Sequence, residues 1–283
     1  MRRLGRAAVA LTFVSSSVLA QGDAGRASQA SPLTIGETFT IESKILGEAR
    51  RINVYLPPPP YGQSAQNVPF PVLYMPDGGL GEDFLHVAGL VQVSNFNSTM
   101  RPFILVGIEN TQRRRDMTGP TQNAEDKKIA PQVGGSAAFR RFIRTELMPV
   151  VTSRYRTTTE TAIIGESLAG LFIVETFFLE PDLFDTYIAF DPSLWWNNRE
   201  LVTKPVHPSV ASGTRQKTLY LSNSDEKELA TVTQLLAARL QNTPPANLKV
   251  FYHSLPNETH ATIYHPAAVE AFRRLFKPAP AGR

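Results

Sequence analysis

Short strand-like runs alternate with helical stripes along most of this chain, and few architectures accommodate that alternation. Pro71–Met75 and Phe103–Ile108 are continuously apolar, as is Ala162–Ile164 further on. Tyr187–Phe190, Thr218–Leu221 and Leu248–Tyr252 are strand-like in the same way. Runs of that kind suit strands buried on both faces, the usual state of strands in a parallel sheet. Between them Phe84, Leu85, Ala88 and Val91 recur at helical spacing. Phe139, Phe142, Ile143, Leu147 and Val150 form a second stripe, and Leu171–Phe178, Leu229–Leu240 and Ala267–Phe276 read as further helices. Ahead of the alternation, Thr38–Ile45 and Arg51–Leu56 switch between apolar and polar residues, which suits two antiparallel strands stopped by Pro57–Pro60. The pattern predicts an α/β protein with a mostly parallel sheet covered by helices on both sides.

The first residues stand outside this scheme. Arg2, Arg3 and Arg6 precede an apolar run that ends Val18-Leu19-Ala20, with small residues where a signal peptidase cuts. We read residues 1–20 as a signal peptide, 21–32 as a linker and 33–278 as a single domain. Export to the periplasm or the medium follows, with no membrane contact in the mature form. Without those three arginines, 26 Lys and Arg face 25 Asp and Glu, so the overall charge of +4 owes much to the leader. Arg113–Arg115 is the one tight basic cluster, and nothing in the charge pattern suggests nucleic acid. The chain has no cysteine, which excludes disulfides, thiolate metal sites and a cysteine nucleophile. Neither a metal nor a cofactor is expected.

Ala162-Ile-Ile-Gly-Glu-Ser-Leu-Ala-Gly170 joins a buried strand to an apolar helix through a serine. This is the setting of a nucleophile elbow, in which the serine sits on a sharp, strained turn and small residues flank it because strand and helix nearly touch. Gly165 and Ala169 occupy the flanking positions. Ala169 departs from the strict G-x-S-x-G pattern, and Gly170 follows at once. Ser167 is therefore the candidate nucleophile.

A serine needs a base, and in such folds the chain order is serine, acid, histidine. His86 comes too early. His207 lies in a proline-flanked loop, His253 within the last strand, and His265 before Pro266 at a helix start. His260, in the loop between the last strand and the last helix, fits best, with His265 next. The acid should follow the penultimate strand, where Asp225 and Glu226 both qualify and spacing does not choose between them. The amide of Leu168 should supply one oxyanion donor, and the Pro76-Asp-Gly-Gly79 loop the other.

Several segments together resemble the esterase branch of the α/β-hydrolases, which holds siderophore (enterobactin-type) esterases, feruloyl esterases and mycolyltransferases. They are Leu73-Tyr-Met-Pro-Asp-Gly78, Val106-Gly-Ile-Glu-Asn110, Phe139–Pro149, Ile164–Leu171, Phe190-Asp-Pro-Ser-Leu-Trp-Trp-Asn197 and Glu258-Thr-His260. The resemblance implies an α/β-hydrolase fold and hydrolysis of a small-molecule carboxylic ester, siderophore-type esters among the options. It implies that the acid is Glu226 rather than Asp225, that Gly79 is the second oxyanion donor, and that Trp195 and Trp196 lie beside the site. Acyl transfer to an alcohol and a non-catalytic, exported binding protein are the competing functions. The loop 110–134 should share the rim of Ser167, and guanidinium groups pair well with planar anions, so Arg113 and Arg115 are candidate substrate-binding residues.

Overall fold

The computed structural model describes residues 29–59, 68–207, 210 and 215–278. The signal-peptide assignment and most of the linker lie outside them. All the elements described here belong to the unit Ile35–Arg283.

Eight strands form one sheet: β1 (Glu37–Ser43), β2 (Glu48–Tyr55), β3 (Phe70–Pro76), β4 (Ile104–Ile108), β5 (Thr157–Glu166), β6 (Thr186–Phe190), β7 (Lys217–Asn223) and β8 (Leu248–Ser254). Their order across the sheet is β1-β2-β4-β3-β5-β6-β7-β8. β2 runs antiparallel to β1 and β4, and the pairs from β4 through β8 are parallel. This is the α/β-hydrolase fold, with the antiparallel pair and the parallel series that the sequence pattern predicts.

The helices are α1 (Phe84–Phe96), a four-residue α2 (Arg113–Asp116), α3 (Ser136–Phe142), α4 (Met148–Arg154), α5 (Leu168–Leu179), α6 (Trp196–Thr203), α7 (Lys227–Asn242) and α8 (Tyr264–Leu275). Ile143–Leu147 joins α3 to α4 as a π turn, and Pro149, which has no N–H to donate, follows it. Alternation along β5 divides the core. Ile163 packs with Phe139, Phe172 and Leu236 from α3, α5 and α7, whereas Ala162 and Ile164 pack with Val87 and Phe272 from α1 and α8. Burial of each such large apolar side chain contributes roughly 1.5–3 kcal/mol.

Because β3 to β8 are parallel, the turns after them share one edge of the sheet. Glu166, Phe190, Ser222 and His253 lie in register across that edge. The loop after β4 is anchored from below. Arg50 on β2 is fully buried, pairs with Asp116, donates to the Glu109 carbonyl at 3.2 Å and stacks over Phe139. The long polar segment 110–134 thus begins on a buried ion pair rather than as a free surface loop.

Candidate active site

Ser167 sits between β5 and α5 at φ 60° and ψ −119°, a conformation that a residue with a side chain adopts only under constraint. The constraint is the contact between strand and helix. A Cβ added at Gly165 would lie 2.6 Å from the Cβ of Ala169, so glycine before the serine makes room for alanine after it. At Gly170 a Cβ would come within 3.0 Å of the Phe190 carbonyl and Pro192, which explains why the next residue is glycine. The departure at Ala169 is therefore accommodated by its neighbours.

Backbone hydrogen bonds tie this turn to the ones beside it. Ser167 N–H donates to Phe190 O at 3.0 Å, and Ser193 N–H donates back to Ser167 O at 3.0 Å. Asp191 N–H donates to Ser222 O at 2.9 Å, and Asp225 N–H to Glu258 O at 2.9 Å. The turns after β5, β6, β7 and β8 form one linked rim.

Asp191, directly after β6, is the acid that reaches the imidazole. It is fully buried at φ 39°; its Oδ1 accepts from Ser224 N–H at 2.7 Å and its Oδ2 lies 3.0 Å from His260 Nδ1. The expected acid, Glu226, lines the same cleft as His260 but is engaged with a helix. β7 ends at Asn223 and the chain turns at once into α7, so the exposed Glu226 carboxylate caps that helix, accepting from Glu228 N–H at 3.4 Å. Asp225 is exposed, and the structure brings neither residue into hydrogen-bond contact with His260. Asp191 stood in the quoted Phe190-Asp-Pro-Ser segment. The signal for it was an acid at the end of an apolar strand two strands before the histidine.

Glu166 is the second residue that sequence reasoning passed over. Its Oε1 is buried without a hydrogen-bond partner and lies 3.9 Å from His260 Nδ1. Burial pushes the Glu166 carboxyl up to about 7; His260 and Arg113 oppose the rise, while Asp83 and Asp191 add to it. The His260 imidazole is raised above its usual value by the hydrogen bond to Asp191, against burial and with help from Glu166. Donor atoms of Glu166, Asp191 and His260 all come within 4.8 Å of one another. The contact between Nδ1 and Asp191 uses that nitrogen for a proton, so we read the trio as a proton-sharing set rather than a metal-ligand set.

Ser167, Leu168 and His260 line a cleft of about 390 Å³, together with Arg113, Arg114, Ile129, Ser193, Trp195, Glu226, Glu228 and Leu229. Trp195 forms part of its wall. Trp196 does not: it is buried, with Nε1 donating to Gly119 O at 3.0 Å. Arg113 grips Asp77 with both Nε and Nη2, at 2.6 and 2.9 Å. Arg115 is held by Glu48 and Asp116. The two arginines proposed for substrate are thus bound to carboxylates of this chain. Arg114, exposed in the cleft, donates instead to the Ile129 carbonyl at 2.6 Å. The Gly79 amide donates to Glu82 Oε2 at 2.6 Å, so it could meet a substrate oxygen only by exchanging that carboxylate. Leu168 opens α5 directly after Ser167. His265, the alternative base, pairs with His86 at 3.0 Å.

A family model described as "Putative esterase" matches residues 43–268. The chain belongs to that esterase family. Ferri-bacillibactin esterase BesA of Bacillus subtilis is 32% identical over 165 residues, 53% of this chain and 55% of that protein. The chain thus spans about half the length of that curated relative, and 33% of the siderophore enterobactin esterase of Emericella nidulans. Among solved structures, an IroE-like serine hydrolase from Shewanella oneidensis superimposes with a TM-score of 0.75 at 28% identity, covering 86% of this chain and 80% of that one. The BES protein from Bacillus cereus gives 0.76 at 22% identity, covering 88% and 98%, a likeness of fold.

Proposed function

We propose that this protein hydrolyses a carboxylic ester through an acyl intermediate on Ser167, with His260 as general base and Asp191 as the carboxylate that orients it. The observation that carries this reading is the contact of Asp191 with His260 Nδ1, on a cleft that His260 shares with Ser167. With Asp191 ionised, the Nδ1 proton faces the carboxylate and Nε2 is left as the acceptor for the serine proton. Attack by Oγ on the ester carbonyl moves that proton to Nε2, and the oxyanion meets the Leu168 amide. The alcohol leaves with the proton from Nε2. Water, deprotonated by the same nitrogen, then cleaves the acyl-serine and releases the acid.

A siderophore-type ester is the substrate class we favour. Siderophore esterases recur among the relatives, and the cleft is lined by both the Trp195 ring and the exposed Arg114, a combination suited to planar, electron-rich, anionic groups. The amino-terminal pattern of residues 1–20 supports action outside the cytoplasm, and among the described residues no helix is long and apolar enough to cross a membrane. The test is turnover of an iron-free tris-catecholate trilactone and of p-nitrophenyl acetate by wild type and Ser167→Ala. The proposal expects ring-opened acids from the wild type and at least about 10³-fold less from the variant, since triad members act as a unit. A variant retaining a tenth of the rate would overturn it.

A further inference from the structure

The residue before the nucleophile carries a carboxylate whose position its surroundings do not explain. Glu166 Oε1 is buried and accepts no hydrogen bond, a state that costs a carboxylate more than it costs a neutral group. Arg113, whose positive field also favours its charge, is occupied by Asp77. What Oε1 does face is His260 Nδ1, at 3.9 Å, on the ring edge where Asp191 stands at 3.0 Å. Resting on the reading of His260 as base, we infer that Glu166 is a positioning residue for it: a second carboxylate that shares the Nδ1 edge with Asp191 and supports the imidazolium while the proton is on the ring.

The geometry gives the two acids different duties. Asp191 is fully buried and fixed by the Ser224 amide, so it holds the ring in one orientation. Glu166 Oε1 accepts no hydrogen bond and acts on the ring through space. The groups around it are Asp191 on the β6 turn, Asp83 ahead of α1, Arg113 on α2, Tyr264 at the start of α8 and His260 itself. Three are acidic or phenolic, so a negative Glu166 is stabilised chiefly by a positive His260. Charge on one favours charge on the other, and protonation of either changes the affinity of its neighbour. The acid limb of catalysis should therefore report the pair rather than His260 alone.

Proton binding by His260 can be read without turnover, by ¹⁵N-histidine NMR titration assigned with His260→Ala. In Glu166→Gln the His260 proton affinity should fall about tenfold, the response expected when an opposite charge within 4–6 Å is removed. The acid limb of kcat/KM should move to lower pH with it, while KM stays close to wild type. Glu166→Ala serves as a second variant, with folding checked by circular dichroism, and should shift His260 the same way. A His260 titration that is unmoved, or moves to higher pH, in either folded variant overturns the inference. Full turnover by His260→Ala would instead overturn the reading of His260 as base, and leave the measured coupling as it stands.

Discussion

Asp191→Asn isolates the orientation of the imidazole. The buried side chain has two oxygens with different partners: Oδ1 accepts from the Ser224 amide, and Oδ2 faces His260 Nδ1. In the asparagine variant the Ser224 N–H still requires an acceptor, so the carbonyl oxygen stays there and the amide nitrogen turns to His260. An NH₂ group facing Nδ1 forces that nitrogen to accept, and the ring proton moves to Nε2, where the base must be unprotonated. The equivalent change in a serine protease triad lowers kcat about 10⁴-fold with geometry intact. With Glu166 still beside the ring, we expect a loss of about 10³–10⁴-fold, or about 4–5.5 kcal/mol of barrier. Glu226→Gln should stay within about threefold of wild type, because the amide oxygen can still cap α7 and no ring contact is lost. The assay is kcat/KM on p-nitrophenyl acetate across pH 5–9, with thermal melts to confirm folding. A larger loss for Glu226→Gln than for Asp191→Asn would refute the reasoning and restore the acid expected after β7.

Other outcomes follow from the same contacts. The Glu166 carboxyl, raised by burial from 4.5 to about 7, contributes stability that is complete below its unfolded value and lost as pH rises through the folded one, up to roughly 3 kcal/mol. Glu166→Gln should accordingly gain stability over wild type in urea at pH 8 and lose that advantage near pH 4.5; a difference independent of pH would contradict this. Arg114→Ala should raise KM for an anionic catecholate ester several-fold and leave p-nitrophenyl acetate unchanged, and equal effects on both substrates would return Arg114 to the solvated surface. Arg50→Ala leaves the buried Asp116 to Arg115 alone and should cost about 3 kcal/mol in chemical denaturation, the low end for breaking a buried pair; a loss under about 1 kcal/mol would show the Arg50 contact to be dispensable.

The parallel sheet was legible because β3, β4, β6 and the Ala162–Gly165 end of β5 are buried on both faces and are almost wholly apolar. Ser167 was legible because its turn needs Gly165 and Gly170 at fixed spacing, a steric demand written locally. The acid was not. Asp191, Asp225 and Glu226 all lie just past strand ends on one rim, and which of them reaches the histidine depends on where α7 begins. Glu226 is drawn away by the amides of that helix, whereas Asp191 is held under the rim by Ser224, a residue far from it in sequence. The arginines mislead for a related reason. Arg113 and Arg115 look free in sequence, yet their partners Asp77 and Glu48 arrive from other strands and loops. Glu166 occupies the variable position of the elbow motif, so only its contact with His260 gives it meaning.

The claim on which everything else depends is that Ser167 becomes acylated. Rapid-quench mass spectrometry of the wild-type protein mixed with an excess of an activated ester at low pH, where deacylation is slow, reads this directly. We expect one added acyl group per chain, mapped by peptide digestion to Ser167, formed in a burst and absent from Ser167→Ala. An adduct on another residue, or undiminished turnover with no adduct on Ser167, would contradict it.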